Sequence, residues 1–315
     1  MNNLAQTVKD IKSLKIQGAS NVRKKAIEAL LKASHESKTK SEKAFRKEFL
    51  LNFDALYESR PTEPELRTAL RIIKKSISEK GLSVGQMKGR IVEAIREYEK
   101  NRAKAMEKIS TYGANLIEND STIMTICHSS TVVKMLIKAK KKIKKVYCLE
   151  TRPLYQGRIT AKELASAGID VTLIVDNAAS TVLKDCDYLF SGADAFLADG
   201  DVVNKIGTNQ ISYLCKRFDV KHYVICSTHK FEPATFLGKQ EPIEQRESEE
   251  VWSMREKKKF GASRVKISNP AFDRTDASTI EGIICELGVF VPHALASKLY
   301  MDLQIDKHEK EFLKL

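Results

Sequence analysis

The chain has 315 residues, of which 42% are hydrophobic and 30% charged, a length and balance that predict a soluble, folded protein with room for two domains and a sizeable core. Its formal net charge of +13 admits anionic partners such as sugar phosphates, nucleotides or RNA and selects none of them. The N-terminus lacks the uninterrupted apolar stretch of a signal peptide and no later window reaches the length of a membrane span, so no membrane partner and a cytoplasmic location are expected.

The first part of the chain repeats with helical period. Leu4, Val8, Ile11 and Leu14 form one apolar stripe, and a second helix, with Ser20 as its N-cap candidate, carries Val22, Ala26, Ala29 and Leu30. Between them, Gln17-Gly18-Ala19-Ser20 reads either as a plain interhelical turn or as small residues that wrap an anion. A third helix near 40–58 should bury Phe45, Phe49, Phe53 and Leu56, and Arg60-Pro61-Thr62-Glu63-Pro64 should stop it, because residues before proline avoid helical angles. Helices near 64–79 and 83–118 complete an all-helical N-terminal domain over residues 1–118.

Beyond Asn119-Asp120 the period changes. Short β-rich runs at 122–126, 146–149, 171–175, 188–190 and 222–226 alternate with helical patterns near 130–142, 157–167, 177–184 and 207–218. That alternation predicts an α/β domain over 119–315, a parallel, Rossmann-like sheet covered by helices on both faces. The fingerprint Gly-x-Gly-x-x-Gly is missing, so NAD is not expected. The lysine-rich run 138–145 falls at a helix end, where cations complement the dipole, and no RNA-binding motif with interleaved aromatics accompanies it. The charged stretch 241–263, with Trp252, reads as an excursion or partner-facing loop. A last sheet unit at 282–288 precedes a helix from Pro292 whose Leu295, Leu299, Tyr300, Met301 and Leu303 give it more apolar surface than an exposed terminal helix carries.

The candidate chemistry lies at the strand ends, where open α/β sheets bind ligands. Of the six cysteines, Cys148, Cys186, Cys215, Cys226 and Cys285 read as core thiols, and neither a disulfide framework nor a metal site is indicated. Cys127 closes the first strand run just before a helix start, a place that lowers a thiol pKa and suits a base or nucleophile, although a buried structural cysteine fits as well. After the next strand, Arg152 could clamp a phosphate and Gln156 hydrogen-bond a sugar hydroxyl. Asp176 reads as a helix cap. The stretch Ser191–Gln210 offers Asp194 after small residues that permit close ligand approach, and Lys205 before a helix start at Gly207-Thr208 whose free N–H groups favour an anion. Lys230 follows a further strand as another phosphate ligand. Together these residues describe a pocket for a phosphorylated polyol with one thiol and one carboxylate for proton transfer.

Five blocks carry a resemblance: Thr125-Ile126-Cys127, Glu150-Thr151-Arg152-Pro153 with Gln156-Gly157, Gly192-Ala193-Asp194, Asn204-Lys205-Ile206-Gly207-Thr208 and Asn269-Pro270-Ala271-Phe272-Asp273. They resemble the superfamily that joins ribose-1,5-bisphosphate isomerases, methylthioribose-1-phosphate isomerases and the regulatory subunits of translation initiation factor 2B. Gly18-Ala19 and Arg60-Pro61-Thr62 extend the resemblance over nearly the whole chain. It implies an aldose–ketose isomerase in which Asp194 is the acid that opens the sugar ring and Cys127 the base at the carbon whose hydrogen moves. It further implies Gly18, Ala19, Arg60, Gln156, Asn204, Lys205 and Lys230 as substrate contacts, no cofactor, and a homo-oligomer, a dimer or hexamer. The other branch implies a noncatalytic regulatory subunit that binds a sugar phosphate or nucleotide and a translation-factor partner. Gln17 stands where the isomerases carry arginine.

Overall fold

The computed structural model describes residues 3–60 and 62–305, and the chain folds as two compact units, 1–104 and 105–315. The first is all-helical: α1 (Asn3–Lys12), α2 (Ala19–Glu36), α3 (Glu42–Tyr57), α4 (Pro64–Lys75) and most of α5 (Val84–Leu116). Their apolar stripes meet in one core containing Ile11, Val22, Leu30, Phe45, Leu56, Leu70 and Ile91. Within that unit the carboxylate of Glu65 is buried between two guanidinium groups, with Arg23 Nε at 3.2 Å and Arg102 Nε at 2.7 Å. Buried charges persist only when paired in this way.

Two local expectations are corrected here. Leu14 lies beyond α1 with φ 61°, and Ser20 is not the N-cap of α2. Gly18 occupies that position with φ 80°, and the Ser20 hydroxyl instead accepts a hydrogen bond from Arg102 Nη2 at 2.7 Å. Pro61 of the helix-stop motif lies outside the described residues.

The division between units falls inside α5 rather than at residue 118. Ile109, Ala114 and Ile117 belong to a core shared with strands of the second unit, so the last turns of the helix fold with the sheet. The second unit runs β1 (Ser121–Thr125), α6 (Ser130–Lys138), β2 (Ile143–Leu149), α7 (Gln156–Ser166), β3 (Val171–Ile174), α8 (Ala179–Val182), β4 (Tyr188–Ser191), β5 (Ala195–Phe196), β6 (Val202–Lys205), α9 (Thr208–Phe218), β7 (Lys221–Ile225), α10 (Met254–Lys259), β8 (Phe272–Thr275), β9 (Gly282–Cys285), β10 (Gly288–Phe290) and α11 (Pro292–Ile305). Seven strands form one sheet in the order β10-β9-β7-β4-β1-β2-β3. It is parallel apart from the β9–β10 hairpin, as the alternation of strand and helix patterns predicts.

Strand alternation feeds two cores. Ile123, Val146 and Phe190 pack with Val132 and Leu136 of α6 and Leu164 of α7. Their neighbours Met124, Leu149 and Leu189 face the other way, with Ala179 of α8 and Ile211 and Cys215 of α9. Helices therefore cover both faces, the condition for a parallel sheet.

A three-stranded antiparallel sheet, β5-β6-β8, is the element that local pattern missed. It turns the supposed loop between β4 and α9 into two short strands, and the third strand arrives only at Phe272. In the lysine-rich run, Lys142 Nζ reaches the terminal carbonyls of α5, Ala114 O at 3.1 Å and Ile117 O at 2.8 Å, so it serves that helix rather than its own. On α11, Leu295 and Leu299 are buried with Phe196, Phe231 and Ile283, whereas Met301 is 63% exposed. The Leu303 side chain lies outside the described residues.

On β7, buried His222 receives or donates a hydrogen bond at both ring nitrogens, to Ser191 Oγ at 2.9 Å and Ser212 Oγ at 2.7 Å. Burial pushes it down to about 3. Between its ordinary value near 6.5 and about 3 the unfolded chain binds a proton that the folded chain refuses. This residue's contribution to stability is therefore lost as pH falls through that window, with a slope of up to about 1.4 kcal/mol per pH unit. Urea unfolding between pH 4 and 7 should give a flatter acid limb for His222→Asn than for the wild type, and equal slopes would contradict this assignment.

Candidate active site

From β1 the chain moves outward to β2 and β3, then returns to the other side of β1 as β4 and continues to β7 and β9. That reversal opens a crevice beyond the carboxyl ends of β1 and β4, the place where such sheets bind ligands. The two strands are parallel neighbours with Thr125 opposite Phe190. Cys127 leaves the first and Asp194 the second, just past this paired level. The thiol of Cys127 lies in the fields of both Asp194 and Lys205, so three residues that the sequence places on separate segments share one site.

Lys205 arrives by way of the small sheet. On β6 it pairs with Phe272 of β8, while Asn204 pairs with Asp273. Its side chain is buried, with Nζ 4.7 Å from the centre of the Phe272 ring, a cation–π contact that offsets part of the cost of desolvating the ammonium. Asn204 is buried beside it and donates through Nδ2 to Thr208 Oγ1 at 2.9 Å.

Two of the N–H groups at the start of α9 are already taken by a side chain. The Asp273 carboxylate accepts from Gly207 N–H at 2.7 Å and from Asn209 N–H at 3.2 Å. The protein's own anion thus occupies part of the cradle that the sequence assigns to substrate. Burial raises Asp273 to about 6, against the lowering effect of those N–H groups and of Lys205. No local signal marks this role, because Asp273 lies far from the helix in sequence.

The expected lowering of the Cys127 pKa is overturned. Burial pushes the thiol up to about 11, outweighing the cation of Lys205, while Asp194 and Asp176 push it further up and the N–H of His128 acts against them. Burial dominates, and with Ser129 as the N-cap of α6 Cys127 also lies outside the first turn, where the dipole would favour the thiolate. At neutral pH the resting group is therefore a thiol.

The remaining strand-end residues fall as follows. Gln156 opens α7, and its Oε1 is buried with no hydrogen-bond partner. A Cβ on the adjoining Gly157 would lie 1.7 Å from Leu149 O, so only glycine lets the helix start this close to β2. Gly192 likewise permits close approach, but to Ser129, whose Cβ and Oγ would both be 3.0 Å from an added Cβ. Arg152 is exposed, with Nη1 2.5 Å from Tyr155 Oη and Nη2 3.3 Å from Val251 O. It borders a cleft of about 340 Å³ that Asp176, Ser180, Gly207 and Gln210 also line. Lys230 is buried in a short 3-10 turn after β7, and the next residue, Phe231, bridges to Phe196 near Asp194. Asp176 does not cap its own turn; its carboxylate accepts from the N–H groups of Thr151 and Arg152 at 2.8 and 2.7 Å. Gly18, Ala19 and Arg60 belong to the helical unit, where Gly18 is exposed and Arg60 is buried between α3 and α4. Among the described residues no cluster of His, Cys, Asp and Glu is arranged to hold a metal.

Comparison with known proteins gives a consistent picture. The chain is 36% identical over 294 residues to a ribose 1,5-bisphosphate isomerase from Methanocaldococcus jannaschii, covering 93% of this chain and 92% of that protein. It is 35% identical over 300 residues to a methylthioribose-1-phosphate isomerase from Thermosipho africanus, covering 90% and 85%. Among solved structures, the translation initiation factor eIF-2B of Pyrococcus horikoshii OT3 superposes with a TM-score of 0.78 at 27% identity, over 94% of this chain and 99% of that one. The profile of the Initiation factor 2 subunit family matches residues 15–292, and the chain is a member of that family.

Proposed function

We propose that the protein is a sugar-phosphate isomerase that converts ribose 1,5-bisphosphate to ribulose 1,5-bisphosphate. The observation that carries this reading is the Cys127 thiol within the fields of Asp194 and Lys205 at the switch point of the sheet, together with the isomerases among its relatives. Asp194 donates the proton that opens the sugar ring. Cys127, as thiolate, takes the proton from C2 and returns it to C1, while the 2-hydroxyl proton passes to the Asp194 carboxylate, so the ketose forms and both side chains recover their starting protonation states. One hydrogen changes carbon and no external oxidant or reductant is needed. Lys205 favours the thiolate electrostatically, and the unpartnered Gln156 Oε1 accepts from a sugar hydroxyl. Asn204, Lys205 and Lys230 complete the contacts of this unit to substrate.

Purified protein should turn over ribose 1,5-bisphosphate, and Cys127→Ser and Asp194→Asn should each lose about a hundredfold or more in kcat. Because the resting thiol has its pKa near 11, kcat/KM should climb with pH from neutrality, and Lys205→Met should shift that limb to higher pH. A wild type that binds the sugar bisphosphate without turning it over would sink the reading in favour of a noncatalytic regulatory subunit.

We extend the proposal to assembly. Leu287, Val289 and Val291 are 44%, 45% and 60% exposed around the edge strand β10, and Met301 on α11 is 63% exposed, an apolar edge that a second copy would cover. Light scattering at micromolar concentration should give at least twice the monomer mass of 35.5 kDa; a monomer mass, unchanged by added sugar bisphosphate or nucleotide, would refute it.

A further inference from the structure

Cys127 has a left-handed backbone, with φ 65°, a conformation that is unfavourable for a non-glycine residue unless its surroundings hold it. Both of its backbone groups are held by threonine hydroxyls. Its N–H donates to Thr151 Oγ1 at 2.9 Å, and its carbonyl accepts from Thr160 Oγ1 at 2.8 Å. Thr151 is buried and itself left-handed, with φ 64°. Its hydroxyl proton is directed to Leu149 O at 3.1 Å, which turns a lone pair toward the cysteine. The Thr151 and Arg152 N–H groups are gripped in turn by the two carboxylate oxygens of Asp176. These contacts run from the end of β3 to the end of β2 to the end of β1, which are adjacent strands.

We propose that Thr151 and Asp176 are positioning residues for Cys127, fixing its backbone and hence the direction of its thiol through this chain of hydrogen bonds across three strand ends. The proposal rests on the reading of Cys127 as the base, but the geometry it asserts is measurable without turnover. A helix-capping role for Asp176 alone does not account for the pattern, since its oxygens meet the neighbouring strand's turn. Nor does generic packing account for Thr151, since its hydroxyl is oriented by one bond and used by another.

The test combines Thr151→Val, which keeps the β-branched shape and removes the acceptor, with Thr151→Ser, which restores it. Cys127 is half-buried and the other five cysteines are buried, so alkylation of the native protein by iodoacetamide, located by mass spectrometry, reports on Cys127. Without the Thr151 hydroxyl the cysteine relaxes out of its enclosed position. T151V should then be alkylated about tenfold faster than wild type at pH 8, with its pH limb moved down toward the ordinary thiol range. T151S should follow the wild type. With ribose 1,5-bisphosphate as substrate, kcat of T151V should fall about tenfold or more while KM stays within about twofold. Thr151→Ala, which also removes the acceptor, carries the test if T151V does not fold. Asp176→Asn, which replaces one acceptor oxygen by a donor, should lower kcat in the same direction by less, whereas its alkylation rate also reflects the loss of a charge that raises the thiol. Wild-type alkylation profiles in T151V, or in T151A where T151V is unfolded, would overturn the proposal. If no variant or wild type turns over substrate, the alkylation profiles still decide it, and the failure belongs to the isomerase reading alone.

Discussion

The pairing of β1 with β4 is the contact on which the site depends. Because the chain leaves β1 in one direction and returns on its other side, the connections after these two strands lead to helices on opposite faces of the sheet, the arrangement beside which such sheets bind ligands. Cys127 and Asp194 stand at the two lips of the crevice. A slip of this pairing by one residue would exchange the faces of Ile123 and Met124, which feed different cores, so the packing that stabilises the sheet also fixes the register of the catalytic candidates.

The second constraint is electrostatic. A thiol in a desolvated crevice resists ionisation, and Asp194 and Asp176 add to that resistance, while Lys205 opposes it. Lys205 can be kept buried because β6 lays it beside the Phe272 ring and near the Asp273 carboxylate. Asp273 in turn is anchored by the first N–H groups of α9. The small antiparallel sheet therefore has a chemical consequence: it carries a cation to a place that strand ends of the main sheet do not supply.

Much of the architecture was legible in the sequence because its signals are local. The alternation of β-rich and helical runs gave the parallel sheet, and the phenylalanines of α3 gave a buried face. The strand-end positions of Cys127 and Asp194 followed from the same reading. What escaped were features made by segments distant in the chain. β5 and β6 are two and four residues long, a hairpin too short to show an alternating pattern, and β6 finds β8 only at Phe272, so no local window contains the third strand. The same distance hid Asp273 as the occupant of the α9 N-terminus and made those N–H groups look available. The thiol pKa was misjudged because sequence reports proximity to a helix start but not enclosure, and here enclosure dominates. Asp176 looked like a cap since Asp before a helical pattern usually is one; its true partners lie on another strand end.

The central claim is that substrate binds at the β1/β4 switch point against both Cys127 and Asp194, and a crystal structure with ribulose 1,5-bisphosphate bound tests it most directly. The account predicts sugar density between the Cys127 Sγ and the Asp194 carboxylate, with a phosphate reaching Lys205. Density confined to the neighbouring cleft lined by Arg152, Ser180 and Gln210, with nothing against Cys127, would contradict it.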